Sequence, residues 1–181
     1  MSAPLVVIGA IVAVGLIAAT AFFLNSRVVV FDRGGIGVPR ALEPVEVRPS
    51  DFPAIAEAIS KGSAKVRYAG LTFVTPDHPN DQEAVNLNLS FENGRVGFDW
   101  VLLAPRNVED RSKFEAFARA HGADPQPRSM NGVSYLRVES GDVAKFTSSI
   151  VTQMYGRPSD EPLAMVHDGF RWPNLDSAKG H

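Results

Sequence analysis

Val85-Asn86-Leu87-Asn88-Leu89-Ser90-Phe91-Glu92-Asn93-Gly94-Arg95-Val96-Gly97-Phe98-Asp99-Trp100-Val101-Leu102-Leu103 is the stretch that decides the fold. Before Asn93-Gly94, apolar Val85, Leu87, Leu89 and Phe91 alternate with Asn86, Asn88 and Ser90, the period of a strand with two unlike faces. Asn-Gly favours a two-residue type I′ turn, because both central residues need positive φ. Pairing Glu92 with Arg95 then sets Phe91 opposite Val96, Leu89 opposite Phe98, Leu87 opposite Trp100 and Val85 opposite Leu102. Every large apolar residue falls on one face, and a slip of one residue would scatter them. The other face receives Asn86, Asn88, Ser90 and Asp99, with Asn88 directly across from Asp99.

Outward from this hairpin, helical spacing marks three segments. Phe52, Ile55, Ala56 and Ile59 recur after Ser50 and Asp51, which offer caps, and stop at Gly62. Val108, Phe114, Phe117 and Ala118 predict a helix over 108–121 with Asn107 as N-cap and Gly122 as its stop. Asp142 caps a third helix whose stripe is Val143, Phe146, Ile150 and Met154, ending at Gly156. Lys65 to Thr75 and Val133 to Glu139 read as strands, the first with a bulge or bend at Gly70. Leu163 to Trp172 reads as a second tight hairpin about Asp168-Gly169, and 123–132, with Pro125 and Pro127, as a loop. The fold class expected is α+β: a single domain with a mostly antiparallel sheet covered on one face by helices, following one N-terminal transmembrane helix.

That helix is Leu5 to Leu24, twenty residues without a charge and with only Thr20 polar. At about 1.5 Å rise per residue it spans a bilayer core. The run exceeds a signal-peptide core and has no basic residue before it, so a retained anchor is expected over cleavage near Ala21 in Ala19-Thr20-Ala21. Arg27, Arg33 and Arg40 follow the span, which places the domain in the cytoplasm of a cell with a single-pass inner-membrane anchor; a periplasmic or secreted domain is the alternative. Gly9 with Ala13, and Gly15 with Ala19, are small-residue pairs through which two anchors would meet as a homodimer. The organisation expected is anchor and flanks at 1–26, linker at 27–50 with a short strand at Val28 to Phe31, domain at 51–173 and flexible tail at 174–181.

Composition narrows the chemistry. No cysteine occurs in the 181 residues, which excludes disulfides, thiolate zinc sites and cysteine nucleophiles together. The net charge is −2, so nucleic acid is not expected as a partner. Asp77-His78-Pro79-Asn80-Asp81 gathers metal-competent groups, but its spacing matches no ligand pattern and its residues are those of turns, so no metal is expected. Gly34-Gly35-Ile36-Gly37 lacks both the P-loop lysine and dinucleotide spacing, and no cofactor is expected. His167 and Asp168 have no nucleophile elbow to complete a triad, and His121 reads as a helix C-terminal residue. Thirteen arginines against five lysines suit bidentate pairing with carboxylates or phosphates across interfaces, although GC-rich codon usage gives the same ratio with no functional reason.

The candidate binding residues are Asn86, Asn88, Ser90, Asp99 and Trp172. The first four belong to a sheet face that antiparallel sheets ordinarily leave to water, and Asp99 is where an acid, base or ligand role would fall. The expectation is a membrane-anchored, non-enzymatic accessory module that binds a protein through a sheet edge or arginine-bearing helix faces. The alternative is an anchored hydrolase or small-ligand binder using the polar hairpin face, which requires a concave pocket at Asp99 and a raised carboxylate pKa.

Overall fold

The computed structural model describes residues 28–30, 40–42, 44–77, 83–130 and 132–173. Short strands β1 (Val28–Val30) and β2 (Arg40–Leu42) pair with each other in a two-stranded ribbon. The remaining elements, in chain order, are β3 (Val45–Val47), α1 (Phe52–Lys61), β4 (Tyr68–Phe73), β5 (Val85–Glu92), β6 (Arg95–Val101), α2 (Pro105–Glu109), α3 (Arg111–Ala120), β7 (Gln126–Met130), β8 (Val133–Val138), α4 (Val143–Ser149) and β9 (Leu163–Asp168). Seven strands form one antiparallel sheet in the order β3-β9-β4-β5-β6-β8-β7. The single α+β domain expected is therefore present. Among the described residues no helix is long and apolar enough to cross a membrane; the span expected at 5–24, its small-residue pairs and the 174–181 tail lie outside them.

The hairpin has the expected register from Glu92↔Arg95 through Phe91↔Val96, Leu89↔Phe98 and Asn88↔Asp99 to Leu87↔Trp100. Asn93 and Gly94 take φ of 50° and 83°, the conformation that a type I′ turn needs. Consequently Leu87, Leu89, Phe98 and Trp100 are all fully buried on one face. Phe114 of α3 stacks on Trp100 with ring centroids 4.6 Å apart, and Phe146 of α4 meets Phe98 edge-on at 5.5 Å. Helix α1 adds Phe52, Ile55 and Ile59 to this core. All three long helical segments thus cover the apolar face, as the period of their stripes requires.

Beyond Trp100, β6 leaves the ladder, and the next cross-strand place beside Asn86 is taken by a side chain. Asn107 Oδ1 accepts from the Asn86 backbone N–H at 3.0 Å, and Asn107 Nδ2 donates to the Asn86 carbonyl at 2.7 Å. The indole N–H of Trp100 donates to the Asn107 carbonyl at 2.9 Å, tying the same residue to the core. Asn107 is therefore not the N-cap expected from its position. Because its side chain points inward from α2, Val108 is rotated out to solvent, 54% exposed, rather than joining the core. The helix expected over 108–121 is two helices, broken at Asp110, whose carboxylate is held by Arg106 Nε at 2.8 Å and Tyr155 Oη at 2.7 Å.

Four other elements differ from the expectation. Residues 126–130, read as loop, form edge strand β7, which pairs with β8 from Gln126↔Arg137 to Met130↔Val133. Val45–Val47, inside the expected linker, pairs with β9. Leu163 to Trp172 is not a hairpin: Leu163–Asp168 is one strand inserted between β3 and β4, and Gly169 at φ 78° turns the chain away from the sheet. In the third helix, Asp142 Oδ1 accepts from Lys145 N as its cap, but the last turn widens into a π-helix over Ile150–Met154.

The Asn107 clamp carries a measurable share of stability. Asn107→Ala leaves a buried N–H and a buried C=O of Asn86 without partners, and each such loss costs about 1–3 kcal/mol. Urea unfolding of N107A should accordingly show a destabilisation of about 2–4 kcal/mol; a change below about 0.5 kcal/mol, the range of neutral surface substitutions, would contradict the clamp.

Candidate functional site

The register places the polar residues of β4, β5, β6 and β8 in rows across the second face of the sheet. One row runs Gly70, Asn88, Asp99, Arg137, and the next Tyr68, Ser90, Gly97. Solvation was expected here, yet Asn86, Asn88, Ser90 and Asp99 are 2%, 0%, 1% and 0% exposed. A buried carboxylate needs a partner, and the partner comes from β8, two strands away from β5.

Arg137 is itself buried, and its guanidinium lies flat on Gly97. A Cβ at position 97 would come within 2.5 Å of Arg137 Cζ, so only glycine gives the cation this path. Arg137 Nη1 donates to Asp99 Oδ1 at 2.5 Å and to Ser90 Oγ at 2.8 Å. Asp99 Oδ2 accepts from Ser90 Oγ at 2.6 Å and from Asn88 Nδ2 at 2.9 Å. The Nε side of Arg137 donates to Glu139 Oε1 at 2.5 Å and faces Glu92 Oε2 at 3.6 Å, while Tyr135 Oη donates to Glu92 at 3.0 Å.

Electrostatics follow from this geometry. Burial pushes the Asp99 carboxyl up to about 6, against the opposing pull of Arg137 and Ser90. Arg137 is held above its ordinary value by Asp99, Glu139 and Glu92, which outweigh its own burial. Its hydrogen bond holds the Glu139 carboxyl below the usual carboxylate range. Burial, followed by the charge of Glu92, raises the Tyr135 phenol.

Of the residues expected to form a site, Asn88, Ser90 and Asp99 meet in this network. Asn86 does not join it: its Oδ1 accepts from Thr72 Oγ1 at 3.0 Å. Trp172 stands apart, half-buried against the apolar core on the other face. Asn88-Leu89-Ser90, which matches the N-glycosylation acceptor pattern, lies inside β5 with both polar side chains bonded to Asp99. Arg137, Glu92, Glu139 and Tyr135 were not singled out. Alternation with Leu136 and Val138 already put Arg137 on a polar face, but the pairing of β8 with β6, which sets it beside Asp99, is a tertiary fact.

The other candidates resolve as follows. Asp77 lies 3.7 Å from Arg106, and 78–81 of the acidic loop are outside the described residues. His121 ends α3, as expected, with Nδ1 against the Phe117 carbonyl and Nε2 against Gln153 Oε1. His167 packs its ring against Phe170, and Asp168 Oδ1 accepts from Gly169 N. Two open clefts lie away from Asp99: one of about 550 Å³ beside 62–64 and 169–171, and one of about 390 Å³ between His121 and Asp142. No family model, curated protein or solved structure matches the chain.

Removing Arg137 alone strands a buried carboxylate, so Arg137→Met should cost about 3–5 kcal/mol, with part of the loss recovered when Asp99→Asn is added. The pH response has a definite sign. An unfolded aspartate titrates near 3.9 and the native one at about 6. Between these values the native state holds a proton that the unfolded chain has lost, so unfolding free energy falls as pH rises through the window. The fall is on the order of 2–3 kcal/mol and levels off above it. Denaturant titrations of wild type and D99N at pH 4, 5, 6 and 7 should show this slope in the difference between them. A flat difference would overturn the assignment.

Proposed function

We propose that the chain is a membrane-anchored, non-enzymatic protein-interaction module, with Leu5 to Leu24 as its single-pass anchor and the α+β domain in the cytoplasm. The observation that carries the reading is the saturation of Asp99. Both of its oxygens are taken by Ser90, Asn88 and Arg137, and it is 0% exposed. A raised pKa suits the alternative hydrolytic reading, but an acid or base must come within hydrogen-bond reach of a substrate. Asp99 gives its hydrogen bonds to the fold.

The sheet edges are poor places for a partner strand. β3 has three residues between Pro44 and Pro49, and β7 carries Pro127, which removes a backbone donor. The flanking pair of a two-residue hairpin, Met130 and Val133, is hydrogen-bonded, so Pro127 and Ser129 face outward and only Ser129 offers an N–H. The partner surface therefore belongs to the helical layer. There Val108 is exposed beside α3, which carries Arg111, Lys113 and Arg119, with Glu115 between the two arginines at 2.9 and 3.9 Å. An exposed apolar side chain among arginines has the composition of a binding surface.

Two measurements on the full chain in cells test this. First, wild type should remain with membranes after carbonate extraction, and deletion of 5–24 should release it; a wild-type chain in the soluble fraction would overturn the anchor. Second, a photo-crosslinking side chain at Val108 should give a discrete adduct that Arg111→Glu together with Arg119→Glu abolishes and D99N retains. Loss of the adduct in a folded D99N, with survival in the arginine variant, would return the site to the polar sheet face.

A further inference from the structure

At the end of the sheet where β4 stops and β9 begins, a cleft of about 230 Å³ opens between Phe73, Ala84 and Leu163, with Arg157 in its wall. The Arg157 side chain is only 8% exposed. Its guanidinium sits over the Phe73 ring, 5.2 Å from the centroid. Nη1 donates to the Val74 carbonyl, and Nη2 donates to the Pro162 carbonyl at 3.4 Å. Glu161, 41% exposed, forms an ion pair with the guanidinium, its Oε1 lying 2.6 Å from Nη2. The Nε–H, which shares an edge of the guanidinium with Nη2, is buried and has no acceptor.

A buried arginine donor without an acceptor is costly, and the Nε/Nη2 edge is the fork that a carboxylate fills with two parallel bonds. Glu161 sits against Nη2 as an ion-pair partner and leaves Nε without a hydrogen bond. We propose that this cleft is a binding site for a short aliphatic monocarboxylate, whose two oxygens take Nε and Nη2 while its hydrocarbon end packs against Phe73, Ala84 and Leu163. Glu161 is the built-in occupant that such a ligand displaces. At roughly 30 Å³ per water-sized group the cleft holds about seven heavy atoms, which suits a chain of three to five carbons. The walls explain the class: one cationic edge among side chains that are apolar except for Thr72 rewards a single charge on a greasy body and penalises a second charge. Asp99 does not line this cleft, and the site does not depend on the anchoring or partner reading.

The test uses the full chain, labelled with ¹⁵N in uncharged detergent, and follows the arginine Nε–Hε signals during titration with butyrate and, in parallel, with uncharged butyramide. One such signal should move saturably with butyrate and not with butyramide. Arg157→Lys keeps the charge but loses the fork, and should abolish the response. Glu161→Gln removes the competing carboxylate and should tighten butyrate binding by about fivefold. The proposal is overturned by the absence of a saturable shift in both wild type and E161Q, by an equal response to butyramide, or by a response that persists in R157K. Where R157K does not fold, E161Q decides alone: unchanged or weaker butyrate binding overturns the proposal.

Discussion

The two-residue turn at Asn93-Gly94 commits β5 and β6 to one register, and the rest of the domain is arranged around that commitment. Since successive side chains alternate faces, the same step that gathers Leu87, Leu89, Phe98 and Trp100 under the helices also gathers Asn88, Ser90 and Asp99 opposite them. The apolar half is stabilised by burial, at about 25 cal/mol per Å² of apolar surface. The polar half has to be neutralised, and its buried carboxylate calls for a cation that arrives from β8 across a glycine.

That pairing specifies as much as it stabilises. A buried ion pair recovers little beyond its own desolvation, but Arg137 finds Asp99, Ser90 and Glu139 together only when β8 lies beside β6 with Asp99 opposite it. A shifted β8 would strand two buried charges at once. Asn107 plays a corresponding part at the other end of the hairpin, where it closes the ladder that β6 abandons. Both devices spend a polar side chain on holding strands in place, and this accounts for chemically capable residues without an open site beside them.

Arg157 offers the contrast. Arg137 has acceptors on Nε, Nη1 and Nη2, all inside the fold. Arg157 is nearly as buried, sits in the wall of a cleft, and leaves Nε without an acceptor. On the reading proposed above, it is the unfilled edge together with the cleft beside it that separates a recognition arginine from a structural one. It is a difference of geometry that no composition count of arginines contains.

How much was legible can be argued from particular residues. The hairpin, the first helix and the Asp142 cap were readable because each depends on neighbours within a few residues: a turn dipeptide, an apolar period, an oxygen three positions before an N–H. Asn131-Gly132 is the same dipeptide as Asn93-Gly94 and is the signal that could have found β7, but the prolines at 125 and 127 favour reading the segment as loop. Asn107 misled because an asparagine before a helix caps it in most local settings, whereas here a strand twenty-one residues away competes for the amide. The burial of Asp99, its meeting with Arg137 and the insertion of β9 between β3 and β4 were decided only by tertiary structure. Each rests on contacts between segments distant in the chain, where pairing is chosen by the joint satisfaction of charge, hydrogen bonds and volume. Local periodicity constrains which face a side chain takes, but not which strand comes to lie beside it.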